Sequence, residues 1–264
     1  MISELKEIWI YRKIISQLIL LAFKTQFRQS IIGPFWHIIQ PLVSSGVLVV
    51  VFKDILGTAQ DLENPFLTFF SAIVFWNVFL QSFSCSANVL EHNRGIFSKI
   101  YFPRVIPVIS NLGITFFRFI LQLVLYFIIL LCTDTQLNPG DLLIIFAGSV
   151  LIFVHIGLIG MGGGMIFASV SVIYKDMLIS IPFLTNLLFF GSPIVYEISN
   201  LPPNIKRFVL LNPLSTPIQT AKELLQSNLN IDVQYLASFG IACIIFIIGT
   251  FIFCRASKTF VDTI

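Results

Sequence analysis

Asn77, Gln81, Ser84 and Asn88 recur at i, i+4, i+7 and i+11 inside an apolar run, which puts all four on one side of a helix. Amides and hydroxyls in this arrangement form hydrogen bonds but have no proton to transfer near neutral pH. A lipid-facing amide is expensive, so the stripe faces either a neighbouring helix or water. Interhelical bonding and a polar conduit account for it equally well. Arg118, near the middle of a second apolar run, is the costliest residue to place in a membrane. Two roles suit it: binding a phosphate-bearing ligand, or bonding Gln122 one turn on together with carbonyls of neighbouring helices. His155, in a later run, reads as a hydrogen-bonded structural residue.

The remaining ionisable residues argue against chemistry by this chain. Of its 13 acidic residues none falls in the middle of an apolar run; Glu91, Asp176 and Glu197 stand at run ends. Proton- and sodium-coupled carriers usually need an intramembrane carboxylate or an unwound ion site. His37, His92 and His155 form no HExxH pair, and no paired acids suggest sugar hydrolysis or transfer. Cys85, Cys132, Cys243 and Cys254 lack CxxC spacing and read as small buried hydrophobes, with neither a disulfide framework nor a metal site expected. Gly160-x-x-x-Gly164-x-x-x-Ala168 has no following Lys-Ser/Thr, so it reads as close helix packing and not as a phosphate loop. An enzyme is not expected.

The elements that must position these residues follow from composition. Charged residues make up 11% of the 264 and hydrophobic ones 56%, with a mean hydropathy of +0.93. Soluble domains carry about a quarter charged residues, so the main solvent of this chain is lipid. Runs long enough for one bilayer crossing, about 20 residues each, fall at 31–53, 66–90, 105–132, 142–171, 178–198 and 233–254. Without period-2 alternation they are helices. The expected fold is all-α and integral to the membrane, with about six transmembrane helices in residues 31–264.

Residues 1–30 are expected to form an amphipathic cytoplasmic helix too polar to span. Lys6, Lys13, Gln17, Lys24 and Arg28 share one stripe, with Ile8, Ile15, Ile19 and Ala22 opposite. Either anionic headgroups or a cytoplasmic partner suit that stripe. The first thirty residues do not read as a cleaved signal peptide, because Lys24 and Arg28 stand where a cleavage site would. Residues 199–232, rich in proline, hold two short apolar pieces expected to be half-helices, re-entrant or lying on the outer surface. Lys and Arg gather on one set of loops and acids on the other, which places both termini in the cytoplasm.

Rings cluster near polar groups at Phe35 and Trp36, at Phe75, Trp76 and Phe79, and at Phe189, Phe190 and Tyr196. Such neighbourhoods suit sugar faces. Two loops on the cytoplasmic side, one from Glu91 through Arg94 and Lys99 to Arg104, the other Val172 to Met177, are either surface turns or docking knobs for a soluble motor.

Phe27-Arg-Gln-Ser-Ile-Ile-Gly-Pro-Phe-Trp36 with Gln40-Pro41-Leu42 resembles the start of the permease subunits of type-two ABC exporters for polysaccharides and polyol phosphates. Lys99-Ile-Tyr-Phe-Pro-Arg104 and Tyr174-Lys175-Asp176 resemble that family's two inner loops, and Ser192-Pro-Ile-Val-Tyr196 with Leu211-Asn-Pro-Leu214 its outer segment. The resemblance implies a homodimeric pore in the bacterial inner membrane, driven by two copies of a separate ABC ATPase. ATP and Mg would bind that partner, with no cofactor in this chain and no nucleic acid. Arg94, Lys99, Arg104, Tyr174, Lys175 and Asp176 would contact the ATPase. The implied cargo is a glycan on a lipid pyrophosphate, such as an O-antigen. Lys24 and Arg28, with Arg118 deeper in the membrane, are the pyrophosphate candidates. The rings named above and Asn77, Gln81, Ser84 and Asn88 are candidates for the sugar path. Exporters of capsule, teichoic acid, drugs or simple lipids, or a channel without ATP coupling, are the rival expectations.

Overall fold

The structure is a computed structural model that describes residues 11–27, 33–57, 62, 64–97, 103–133, 138–224 and 231–262. All regular structure among them is helical. The main helices are α1 (Arg12–Phe27), α2 (Trp36–Val49, continued by a π turn over Val50–Ile55), α3 (Pro65–Ala87), α4 (Ile106–Cys132), α5 (Pro139–Ser171), α6 (Asp176–Phe190), α7 (Pro203–Leu211), α8 (Ser215–Glu223) and α9 (Val233–Asp262). Pro65, Pro107, Pro139 and Pro203 lie at the first or second helical positions, where the missing N–H costs nothing.

Among the described residues, five helices are long and apolar enough to cross a membrane: Trp36–Ile55, α3, α4, α5 and residues Val233–Ser257 of α9. The expected span at 178–198 is shorter than its apolar run. It is α6, 15 residues long, and at 1.5 Å per residue covers about 22 Å against a hydrocarbon core of about 30 Å. Gly191 and Pro193 stop it, and its Phe189 ring meets Trp76, halfway along α3, at 5.4 Å.

α3 is the hub. Of its apolar stretch 78% is buried, against 11% for Trp36–Ile55 and 22% for α9. It runs antiparallel to α4, Phe70 meeting Tyr126 at one end and Cys85 meeting Asn111 at the other. α5 lies alongside it in the same direction, and the small residues make that approach possible. A Cβ on Gly160 would stand 2.7 Å from the Ser82 Cβ, and one on Gly164 2.5 Å from the Phe83 carbonyl oxygen. On a different face of α5, a Cβ on Gly162 would come within 2.7 Å of the Phe246 backbone, and one on Gly249 would collide with the Gly162 carbonyl. α5 is thus held between α3 and α9 at backbone distance, as the glycine spacing predicts.

α1 lies against the end of α4. Tyr11, Ile14, Ile15 and Leu18 pack on a cluster that includes Ile106 and Val108, while Arg12, Lys13, Gln17 and Lys24 are exposed. Leu20 and Leu21 are exposed as well. Gly33, at φ 54°, turns the chain from α1 towards α2, a backbone conformation that strains any side chain.

Candidate substrate path and outer gate

From Leu67 to Leu90, α3 and the short helix after it are buried except along one strip: Asn77, Leu80, Gln81, Ser84, Cys85 and Asn88. The four polar residues singled out by their spacing are therefore on the one side of the hub helix that the rest of the chain leaves half-open. Gln81 Oε1 accepts a hydrogen bond from Arg118 Nη1 at 2.8 Å, and Asn88 Nδ2 donates to the Ser84 carbonyl at 2.8 Å. Arg118 is only partly buried and is anchored beside the strip.

Gln122 is used differently from the pairing with Arg118 expected one turn away. Pro41, within α2, has no N–H to give the carbonyl four residues back, that of His37. Gln122 Nε2 donates to that His37 oxygen at 3.0 Å, so α4 serves a backbone group that a proline strips of its helical donor. Ser45 Oγ donates to the Pro41 carbonyl at 2.6 Å. The signal was readable in the His37…Pro41 spacing, though not which side chain would answer it.

The candidate rings divide into two groups. Phe75, Trp76 and Phe79 are buried; Phe75 packs on Phe119 at 5.5 Å, Trp76 on Phe79 at 5.2 Å, and Phe79 on Phe83 at 5.6 Å. They form the core behind the polar strip. Phe35, Trp36 and Phe190 are exposed, and Phe189 and Tyr196 are half-buried.

The two halves of the segment after α6 are tied together at the motifs noted in the sequence. Asn212 Nδ2 donates to Ser192 Oγ at 3.0 Å and to the Gly191 carbonyl at 3.2 Å, and Asn212 Oδ1 accepts from the Leu214 N–H. Ser215 Oγ donates to the Val209 carbonyl, so the break between α7 and α8 has its polar groups satisfied internally. Ser238 Oγ donates to the Pro213 carbonyl at 2.9 Å and lies 3.3 Å from His155 Nε2. Its one proton being committed to Pro213, Ser238 accepts from the Nε2–H of His155. His155 lies halfway along α5, so the α7–α8 junction dips into the bundle.

Lys222, within the proline-rich segment 199–232, is 6% exposed. Its Nζ donates to the Tyr196 carbonyl at 3.0 Å. Burial lowers its pKa from 10.5 to about 8, the Glu197 carboxylate opposing the drop. The unfolded chain therefore binds more protons than the folded one between pH about 8 and 10.5, and stability rises with pH through that window. The total is ~3 kcal/mol. Melting temperature measured from pH 7 to pH 10 is expected to climb in the native chain relative to Lys222→Met; parallel curves would remove Lys222 as the cause.

At the opposite end, Ile173 to Met177 are all exposed, with Tyr174 at 62%, and Arg94 is exposed while Arg104 is half-buried. Lys24 is exposed too. Arg28 and Lys99 lie outside the described residues.

Comparison with known proteins now bears on this arrangement. The family described as the ABC-2 type transporter, membrane component, matches residues 15–225. The chain belongs to that family. The matched stretch of this ABC-2 permease runs from α1 through α8 and includes the polar strip, the exposed turn over Ile173 to Met177 and the α7–α8 junction. The chain is similar to the O-antigen export system permease protein RfbA of Myxococcus xanthus, 26% identical over 81% of this chain and 80% of that one. It is similar to the RfbA permease protein of Klebsiella pneumoniae, 23% identical over 90% of each. It is also similar to the polysialic acid transport protein KpsM of Escherichia coli, 23% identical over 85% of this chain and 87% of that one.

Proposed function

We propose that this ABC-2 permease is the membrane half of an ATP-driven exporter that moves a lipid-linked, O-antigen-like polysaccharide outward across the bacterial inner membrane. Two copies form the pore, with both termini cytoplasmic, and two copies of a separate ABC ATPase bind ATP and Mg and supply the motion. The observation that carries this is the half-open strip of Asn77, Gln81, Ser84 and Asn88 on a helix otherwise buried. Lipid cannot cover amides cheaply, so a second copy and a polar cargo do. Phe35, Trp36 and Phe190, exposed in the protomer, supply ring faces on which sugars stack. Lys24 and Arg28 receive the pyrophosphate at the cytoplasmic mouth. The exposed Tyr174-Lys175-Asp176 turn, with Arg94, Lys99 and Arg104, takes the push of the ATPase. The α7–α8 pair closes the outer mouth between substrates.

A deletion strain is expected to lose its surface glycan and to accumulate the undecaprenyl-linked chain inside. Normal surface glycan in that strain would refute the proposal. Asn77→Leu tests the strip, since Asn77 does not share the Gln81–Arg118 bond: export is expected to fall several-fold at normal expression, and unchanged export removes this face from the route.

A further inference from the structure

A cavity of about 250 Å³ lies among α7, α8 and the start of α9, away from the polar strip. Ser199, Lys206, Gln219, Glu223, Asp232 and Tyr235 are among the residues lining it. Two of them hold buried atoms without a hydrogen-bond partner among the described residues, the Tyr235 hydroxyl and the Gln219 carbonyl oxygen. Tyr235 is 3% exposed, and its ring is fixed edge-on to His155 at 5.0 Å. Gln219 Nε2 donates to Glu223 Oε1 at 3.0 Å, which leaves its oxygen oriented as an acceptor. Native structures rarely leave buried polar atoms in this condition, because each forfeits its hydration.

The chemistry of the lining selects the ligand. Two carboxylates disfavour an anion, and the Lys206 ammonium in the same lining disfavours a bare metal ion. An apolar ligand would leave Tyr235 and Gln219 unsatisfied. A neutral molecule whose hydroxyls both donate and accept satisfies all of them. The volume lies below the roughly 300 Å³ at which pockets for drug-sized ligands begin, so it admits a single ring rather than a chain.

We infer that this cavity is a second saccharide site, which binds one sugar ring of the cargo with Tyr235 donating, Gln219 accepting, and Glu223 and Asp232 accepting from ring hydroxyls. The inference rests on the polysaccharide-export reading and adds to it a place that holds the emerging chain beside the α7–α8 pair. A ring held there resists slipping back while the path behind it resets.

The test uses the full chain in nanodiscs, with methyl α-mannoside, methyl β-galactoside and methyl N-acetyl-β-glucosaminide as probes, read by saturation-transfer NMR. At least one glycoside is expected to receive saturation, and its apparent affinity to fall about tenfold in Gln219→Leu and in Tyr235→Phe, the loss that goes with one well-made hydrogen bond. The Tyr235 hydroxyl makes no bond among the described residues, so Tyr235→Phe should leave the melting temperature unchanged or raised. No saturation of any probe, equal binding in the variants, or a lowered melting temperature in Tyr235→Phe would overturn the assignment. If the probes fail while the deletion strain still loses its surface glycan, this site falls and the export reading stands. Normal surface glycan in the deletion strain refutes the export reading independently of the NMR result.

Discussion

Gly164→Ala and Gly249→Ala are expected to lower the yield of folded protein sharply, whereas Gly46→Ala is expected to leave it unchanged or raise it. The contrast isolates packing from backbone preference. All three are helical glycines, and alanine is the better helix former by about 0.5–1 kcal/mol. At Gly46 nothing lies within 4 Å of the new methyl, so only that gain remains. At Gly164 the methyl would stand 2.5 Å from the Phe83 carbonyl and 2.6 Å from the Ser86 Cβ, and at Gly249 it would meet the Gly162 carbonyl. A backbone carbonyl cannot swing aside as a long side chain can. The helices must separate, costing about 1–3 kcal/mol for one methyl and more for larger groups. Melting curves of the three purified variants would decide it: equal stability across the set would mean that α5 does not lie at backbone distance from α3 and α9.

Gln81→Leu is expected to destabilise the bundle by about 1.5–3 kcal/mol, the range for a hydrogen bond to a charged group. The Arg118 guanidinium donates to Gln81 at 2.8 Å from within the apolar part of α4. Removing the amide weakens the solvation of a cation that lipid cannot replace. Arg118→Leu is expected to strand the Gln81 amide in turn. The double variant should be more stable than the sum of the two losses implies, with a coupling of at least ~1 kcal/mol, since neither polar group then needs the other. Strict additivity would show that the pair does not interact in the folded protein. A double variant of native-like stability also gives the clean background in which to ask whether Arg118 is needed for export.

Much of this was legible in the sequence because lipid simplifies the reading. Long uncharged runs give the helices, and the 3.6-residue repeat of Asn77, Gln81, Ser84 and Asn88 picks out the open side of α3. The glycines at 160 and 164 point to close packing for the same reason. The length of α6 was misjudged because its apolar character runs on through Ile194 and Val195, beyond the Gly191-Ser-Pro193 break, and hydropathy does not register a stop. Ring placement was not legible either. Phe75, Trp76 and Phe79 are neighbours of Asn77 in sequence, but a helix turns 100° per residue, and they fall on the buried side. The polar contacts of Gln122 and Lys222 depend on which helices meet, which no local pattern encodes.

The central claim is that this chain is a gate without its own energy source. Proteoliposomes should be prepared with the purified permease alone and with the permease plus the ABC ATPase proposed as its partner, each loaded with fluorescent lipid-linked glycan. Movement of the glycan across the bilayer is expected only when both proteins and ATP are present, and is expected to stop when Tyr174, Lys175 and Asp176 are all replaced by alanine. Uphill movement by the permease alone, or undiminished movement in that triple variant, would contradict the account.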